Sequence, residues 1–522
     1  MNGANRSKRR RLGQSSRENT SLWTVGARQD LLQWRGLFGG EPPSIDGVTT
    51  ELPVLIQGGM GAGVSDWLLA RTVSRSGQMG VVSGTGLDAL FLRRLQDGDP
   101  GGHMRRALAA FPIPGVAERI VDTYFREGGK GPHERYKAQP MARVDPSKKL
   151  LENMVVGNFA EVYLAKEGHD GLVGINYLEK IQTPHLPSIY GAMLAGVDYV
   201  LMGAGIPMAI PGILDQLHEG LPVEYRLDVK GAERGETFSM HFDPASIGDG
   251  RLPLAPRPQF LAIVSSHVLA TALVRKASGR VDGFVIEGPT AGGHNAPPRG
   301  KLQLNDLGEP IYGNRDLPDL AVFRELGLPF WLAGGFAEPE QITEALELGA
   351  TGVQVGTAFA YCEESGFTAA TKREVIELSR AGEARIFTDP VASPTGFPFK
   401  VVELEESLSN PVVYQKRSRI CDLGYLRTAY RRDDGTVGWR CPSEPVDDFV
   451  RKGGAEEDTV GRKCLCNALI ANIGHPQIQR NGEIEGELIT SGDDVANVAR
   501  FLPDGRDTYS AVDVINYLLP TR

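Results

Sequence analysis

The sequence predicts an α/β chain folded as a TIM (β/α)8 barrel, with a long insertion after the second strand and a C-terminal, mainly helical subdomain. Three observations predict it. Eight short apolar runs alternate with amphipathic stretches, the order that a closed parallel barrel requires. The 64 glycines among 522 residues cluster at the ends of those runs, where tight strand-to-helix turns need a residue without a Cβ. A content of 41% hydrophobic and 23% charged residues suits a globular chain with a large core. An open doubly wound sheet is the alternative that the same alternation permits.

The strands are expected, in order, at Val54–Gln57, Gly80–Ser83, Val173–Tyr177, Tyr199–Met202, Gln259–Val264, Gly283–Glu287, Phe330–Ala333 and Gly352–Val355. Each is a short apolar run bounded by turn residues. Between them, stretches such as Trp67–Ser76 and Pro339–Leu348 repeat apolar residues at three- and four-residue steps, as at Ile342, Ala345 and Leu346, which is the period of a helix with one buried face. The gap between the second and third strands is far longer than one helix needs. It holds helix-like pieces at Met104–Phe111 and Val116–Arg126, then a polar link from Gly128 to Lys149. Long loops at a barrel's catalytic face serve as lids or substrate-binding segments.

The expected organisation is therefore a tail over 1–25, a barrel over 45–400 with insertions at about 98–165 and 221–257, and a C-terminal subdomain over 405–522. The tail carries Arg6, Lys8, Arg9, Arg10 and Arg11 without an apolar stretch. It reads as a disordered basic segment and not as a secretory signal. A net charge of -9 argues against nucleic acid as the main partner. No apolar run approaches the ~20 residues that span a bilayer, so no membrane is expected. Five cysteines, an odd number, suit a reducing cytoplasm.

The chemistry is expected at the C-terminal ends of the strands. Glu287-Gly-Pro-Thr-Ala-Gly-Gly-His294 puts a histidine on a loop too glycine-rich to pack for stability. Ala333-Gly-Gly-Phe336 and Gln354-Val-Gly-Thr357 each close a strand with small residues, whose N–H groups can hold an anion such as a phosphate. Ile56-Gln-Gly-Gly-Met-Gly61 and Gly203-Ala-Gly-Ile-Pro207 close the first and fourth strands.

Together and in this order, these motifs resemble the nitronate monooxygenase (2-nitropropane dioxygenase) family of FMN-dependent barrels, over about residues 50–365. The chain is also similar to the trans-acting FMN enoyl reductases of polyunsaturated fatty acid and polyketide synthases. The resemblance implies that the FMN phosphate rests on the backbone of Gly334, Gly335, Gly356 and Thr357, with Val355 and Gln354 leading into that loop. It implies that Asn176 contacts the flavin ring and that Gly58, Gly59 and Met60 lie against its face. Lys180 and Gln182, close to Asn176 in sequence, are further candidates for ring or ribityl contacts. His294 is implied as the catalytic residue beside the ring. An imidazole with an ordinary pKa near ~6.5 can take or give a proton at neutral pH.

The implied activity is oxidation of alkyl nitronates with O2. The alternatives are NAD(P)H-dependent reduction of an enoyl thioester on an acyl carrier protein, and a flavin-binding or carrier-docking protein without turnover. The implied partners are a small-molecule substrate and O2, with a carrier-bound acyl chain and a homo-oligomer left open. The insertion and C-terminal part exceed the compact nitronate monooxygenases, which leaves the substrate open.

Other residues are weaker candidates. Cys421, Cys441, Cys464 and Cys466 are four thiols in a short span, a donor set that can bind zinc or an iron–sulfur cluster. Their spacing lacks the usual Cys-x2-Cys pairs, and no metal is expected. His103, Arg105 and Arg106 at a helix start suggest an anion-binding lid or plain surface. No Walker-type loop, His-Glu-x-x-His or Gly-x-Gly-x-x-Gly turn is present.

Overall fold

The computed structural model describes residues 52–248 and 255–520. The expected basic tail lies outside the described residues, as do the first residues of the expected barrel segment. Eight parallel strands form the central sheet: β1 Leu55–Gln57, β2 Gly80–Ser83, β3 Val173–Leu178, β4 Tyr199–Gly203, β5 Gln259–Val264, β6 Gly283–Glu287, β7 Phe330–Ala333 and β8 Gly352–Val355. Each strand from β2 to β8 neighbours its predecessor or successor in the chain, and β8 pairs with β1. Closure between β1 and β2 is made by a parallel bridge from Ile56 to Met79. The Gln57 side chain reinforces it by accepting from the Val81 N–H at 3.0 Å. The sheet is a barrel, as the alternation of elements predicts.

Side-chain alternation fills it. Ile56, Val81, Leu201, Leu261, Val285 and Trp331 pack into one buried cluster, while the residues between them, such as Val82, Val200, Phe284 and Leu332, are equally buried on the other face. Strands buried on both faces are what a ring of covering helices produces. The indole of Trp331, fully buried, donates to the Pro53 carbonyl at 2.8 Å, so its one polar atom is satisfied. The same alternation, continued to the C-terminal strand ends, turns Asn176, Glu287 and Gln354 toward the barrel mouth.

The segment between β2 and β3 is mostly helical: Leu87–Gln96, His103–Ala109, Val116–Tyr124 and Lys148–Lys166. The last of these is buried along most of its length, and it packs on the neighbouring helices of the barrel wall. The segment after β4 contains a hairpin of Val223–Arg226 with Ser239–Phe242. Its Val229–Lys230 pairs in parallel with Thr428–Arg431, which pairs in turn with Val437–Arg440. Insertion and C-terminal region thus share one small sheet.

After β8 the chain forms the helix Ala369–Ala381 and then a hairpin, Ile386–Asp389 with Phe399–Val402. This hairpin crosses the barrel mouth. A second apolar cluster joins Ala62, Ala89 and Ile181 to Phe399, Leu426, Leu465 and Leu469, so the C-terminal residues share a core with the loops they cover.

Candidate active site

The expected flavin-loop, ring-contacting and catalytic residues line one cavity at the C-terminal mouth of the barrel, with the exception of Lys180 and Gln182. Gly58, Gly59 and Met60 follow β1 and Asn176 lies in β3. Gly334 and Gly335 follow β7, Gln354 and Val355 end β8, Gly356 and Thr357 follow it, and His294 comes from the loop after β6. The cavity has a volume of about 210 Å³. Lys180 and Gln182 are not among its walls. Lys180 sits 3.3 Å from Glu179 and 3.4 Å from Asp228, and both residues line a separate cavity.

The loops after β7 and β8 form one side. Gly334 and Gly335 have φ of +88° and +87°, a left-handed backbone that side-chain-bearing residues rarely adopt. Gly356 differs: its φ is −109°, and an added Cβ would meet only Met60, at an ordinary 3.5 Å. Neither backbone strain nor packing calls for glycine there; the open cradle does. Among the described residues no hydrogen bond uses the N–H of Gly334, Gly335 or Gly356. Unused donors on adjoining loops form a concave site of the kind that binds phosphate. The Thr357 hydroxyl accepts from the Gly492 N–H at 2.9 Å, which leaves its own hydrogen available to an anion.

The same cavity holds polar atoms without partners. The side-chain oxygens of Asn176, Gln354 and Thr290 are buried and make no hydrogen bond. Asn176 is held in place by its amide nitrogen, which donates to the Gly59 carbonyl at 3.2 Å. Buried polar atoms without partners are costly and rare. Three around one cavity fit a ligand that is flat, edged with donors and acceptors, and ends in a phosphate.

His294 is half-buried. Its Nε2 lies 2.7 Å from the Ser393 hydroxyl, and its ring packs at 4.8 Å against Phe399, edge to face. This apolar wall pushes the imidazole down to about 4, because a charged ring would lose its water. His294 is therefore neutral at pH 7, in the form that accepts a proton. Glu287, at the end of β6, also lines the cavity. Burial raises its carboxyl to about 8, so it carries its proton at neutral pH. An uncharged imidazole and an uncharged carboxylic acid offer an acceptor and a donor at one reaction centre.

The C-terminal region supports the site from above. Asn295 N donates to the Pro398 carbonyl at 2.9 Å and Lys400 N to that of Gly293 at 3.0 Å, pinning both sides of His294. Asp493 N donates to the Thr290 carbonyl at 3.2 Å. Sequence reasoning missed Ser393, Phe399, Thr290 and Gly492. The first two and Gly492 lie in a region with no motif, and only the fold reveals them. Thr290 lay inside the histidine motif, where a buried threonine next to paired glycines was the available signal.

The weaker candidates fall elsewhere. His103 packs on Trp67, the rings tilted at 47° with centroids 4.8 Å apart, Arg105 pairs with Asp99 and Arg106 with Glu167; none lines the cavity. Cys421, Cys441, Cys464 and Cys466 gather around a small pocket. Among the described residues no three histidine, cysteine or carboxylate groups stand close enough to hold a metal. Nor is any helix among them long and apolar enough to cross a membrane.

Parts of the chain are similar to known proteins. Residues 216–394 match the family model described as nitronate monooxygenase. A nitronate monooxygenase of Pseudomonas aeruginosa is 37% identical over 165 residues, 30% of this chain and 41% of that protein. A probable nitronate monooxygenase of Bacillus subtilis is 34% identical over 119 residues, 23% of this chain and 32% of the other. The chain thus spans less than half the length of either relative. A (3aS,4S,5R,7aS)-5-hydroxy-7a-methyl-1-oxo-octahydro-1H-indene-4-carboxyl-CoA dehydrogenase of Mycobacterium tuberculosis is 28% identical over 355 residues, 63% of this chain and 91% of that one. Among solved structures, a nitroalkane oxidase of Streptomyces ansochromogenes aligns with a TM-score of 0.44 at 14% identity, covering 89% of this chain and 94% of that one.

Proposed function

Since residues 216–394 carry the nitronate monooxygenase family pattern, we propose that this chain is an FMN-dependent oxidoreductase whose turnover is oxidation of alkyl nitronates with O2. One observation carries the reading. The two glycine loops after β7 and β8 and the histidine after β6 line a single cavity, together with three unpartnered polar side chains.

Bound there, FMN supplies the electron-accepting ring. The chain's own residues do the rest. The N–H groups of Gly334, Gly335 and Gly356 and the Thr357 hydroxyl hold the phosphate; Asn176 and Gln354 meet the polar edge of the ring. Gly58, Gly59 and Met60 keep backbone and thioether against its face. His294 accepts a proton at the ring nitrogen that Ser393 leaves free, or hydrogen-bonds to the nitro group of the substrate. Ser393 orients the imidazole, and Glu287 donates a hydrogen bond while it stays neutral. Phe399 keeps water from the histidine.

The test is to load the purified chain with FMN, add an alkyl nitronate without oxygen, and follow flavin absorbance. Loss of oxidised flavin, with oxygen uptake once air is admitted, supports the reading. A flavin spectrum untouched by nitronate contradicts it.

A second reading, NAD(P)H-dependent reduction of an enoyl thioester, is favoured by one feature of the molecule. A cationic cavity adjoins the first, larger than a nitronate needs. The Mycobacterium relative, whose name specifies an acyl-CoA, points the same way.

A further inference from the structure

A second cavity, of about 330 Å³, opens beside the reaction cavity between the insertion after β4 and the C-terminal region. Its walls carry Lys180, Lys230, Arg427, Arg440 and Arg462 against two carboxylates, Asp228 and Asp458. In a chain of net charge -9 this is a local excess of positive charge. Asp228 faces Lys180, and Asp458 meets Arg462 through its backbone carbonyl, at 3.3 Å.

The three arginines are held in a particular way. Arg427 donates to the carbonyls of Ala142 at 2.5 Å and Gly424 at 3.1 Å. Arg440 donates to that of Lys452 at 2.7 Å. Arg462 donates to those of Val391 at 2.8 Å and Ser393 at 2.6 Å. Backbone carbonyls fix a guanidinium without neutralising it. Among the described residues none of the three has a carboxylate within ion-pair distance, whereas Arg94, Arg257, Arg417 and Arg500, also partly buried, each have one. Three half-buried like charges around one space repel each other and have lost water. A phosphate or diphosphate returns what they lack, through charge-assisted bonds to guanidinium N–H groups left over.

The two cavities share a wall. Tyr425 and Leu426 line both. Ser393, bonded to His294, lies 2.8 Å from the Thr395 hydroxyl, and Thr395 lines the second cavity. Trp439, with Arg427 over its ring at 5.3 Å, adds a flat apolar wall.

We propose that the second cavity binds the phosphate-bearing end of an elongated substrate or reductant whose reactive end reaches past Tyr425 and Leu426 toward His294. Two sources share this chemistry: an acyl thioester on a phosphorylated pantetheine arm, and a nicotinamide nucleotide. For the ligand's reaction the proposal rests on the second reading above; for the existence of the anion site it does not.

Binding to the FMN-saturated full chain tests it, with isothermal calorimetry on pyrophosphate, coenzyme A and NADP+ as separate probes. The expected result is that coenzyme A or NADP+ binds and pyrophosphate displaces it. The Arg440→Gln and Lys230→Gln variants should each weaken that binding roughly tenfold, as loss of one charge-assisted contact does, and Arg440→Lys should weaken it less. Lys230 is exposed, so its replacement tests the site without endangering the fold. Which probe binds more tightly identifies the source. Neither probe binding, or both binding equally well to the variants and the parent chain, overturns the proposal. Failure of the nitronate reading would appear instead as no oxygen uptake by the FMN-loaded parent chain with an alkyl nitronate.

Discussion

His294 Nε2 lies 2.7 Å from the hydroxyl of Ser393, a residue 99 positions further along the chain. Ser393 is fully buried and is held in turn by Thr395, whose N–H donates to the same hydroxyl at 3.2 Å. The histidine comes from the barrel and its orienting partner from the segment that crosses the barrel mouth. The candidate site is thus assembled from two parts of the chain, and the C-terminal region is a component of it.

Replacing His294 by Ala should leave flavin bound and lower turnover by about 10²–10⁴-fold, the range for loss of a positioned acid–base group. Ser393→Ala should cost less, about tenfold, since it only frees the imidazole to rotate. Oxygen uptake with nitronate, read against flavin content from the visible spectrum, checks both. Full turnover in His294→Ala would remove the histidine from the mechanism.

Stability should follow pH through two residues of opposite sense. Burial lowers the His294 imidazole from 6.5 to about 4, so the unfolded chain binds its proton more readily. The stability this residue lends is complete above pH 6.5 and is lost as pH falls toward 4. Burial raises Glu287 from 4.5 to about 8, so here the folded chain holds the proton. That contribution is complete below pH 4.5 and is lost as pH rises toward 8. In urea unfolding of the flavin-free protein across this range, His294→Gln should flatten the acid side and Glu287→Gln the alkaline side. Parent-like slopes in both variants would contradict the assignments.

Gly356→Ala separates the cradle from the fold. Its backbone and surroundings accept a methyl group, so the flavin-free protein should keep its stability to within about 1 kcal/mol. A Cβ in the cradle should weaken FMN at least about tenfold in a fluorescence titration. A variant with parent-like affinity would place the phosphate elsewhere.

Lys400 links the hairpin to the cover. Its ammonium, 3% exposed, reaches Asp493 at 2.6 Å and Thr388 at 2.9 Å. Lys400→Met should cost on the order of 1–2 kcal/mol, because it leaves a half-buried carboxylate without its charged hydrogen-bond partner. Asp493 adjoins Gly492, which bonds to Thr357, so FMN should also bind more weakly. Denaturant midpoints with and without FMN measure the two effects.

The sequence made the barrel legible because each strand is a short apolar run, six of the eight closed by glycine, a local pattern that tertiary contacts do not override. Its bounds differ from the observed ones by a residue at β1, β3 and β4. The glycine loops that line the cavity were legible for the same reason: glycines at strand ends are local signals. Ser393, Phe399 and Gly492 were not. Their part in the site depends on a hairpin folding back across the mouth, and nothing in Ser393-Pro-Thr-Gly396 distinguishes it from an ordinary turn. The cationic cavity was hidden likewise, since Arg427, Arg440 and Lys230 meet only through a sheet joining two distant segments. Lys180 and Gln182 lie near Asn176 in sequence, but the chain turns after β3 and carries them away from the cavity.

The most direct measurement compares the affinities of FMN and riboflavin for the purified chain. If the loops at Gly334–Gly335 and Gly356–Thr357 grip a phosphate, FMN should bind at least about 10²-fold more tightly, the equivalent of two charge-assisted hydrogen bonds. Equal affinities, or no binding of either, would contradict the account.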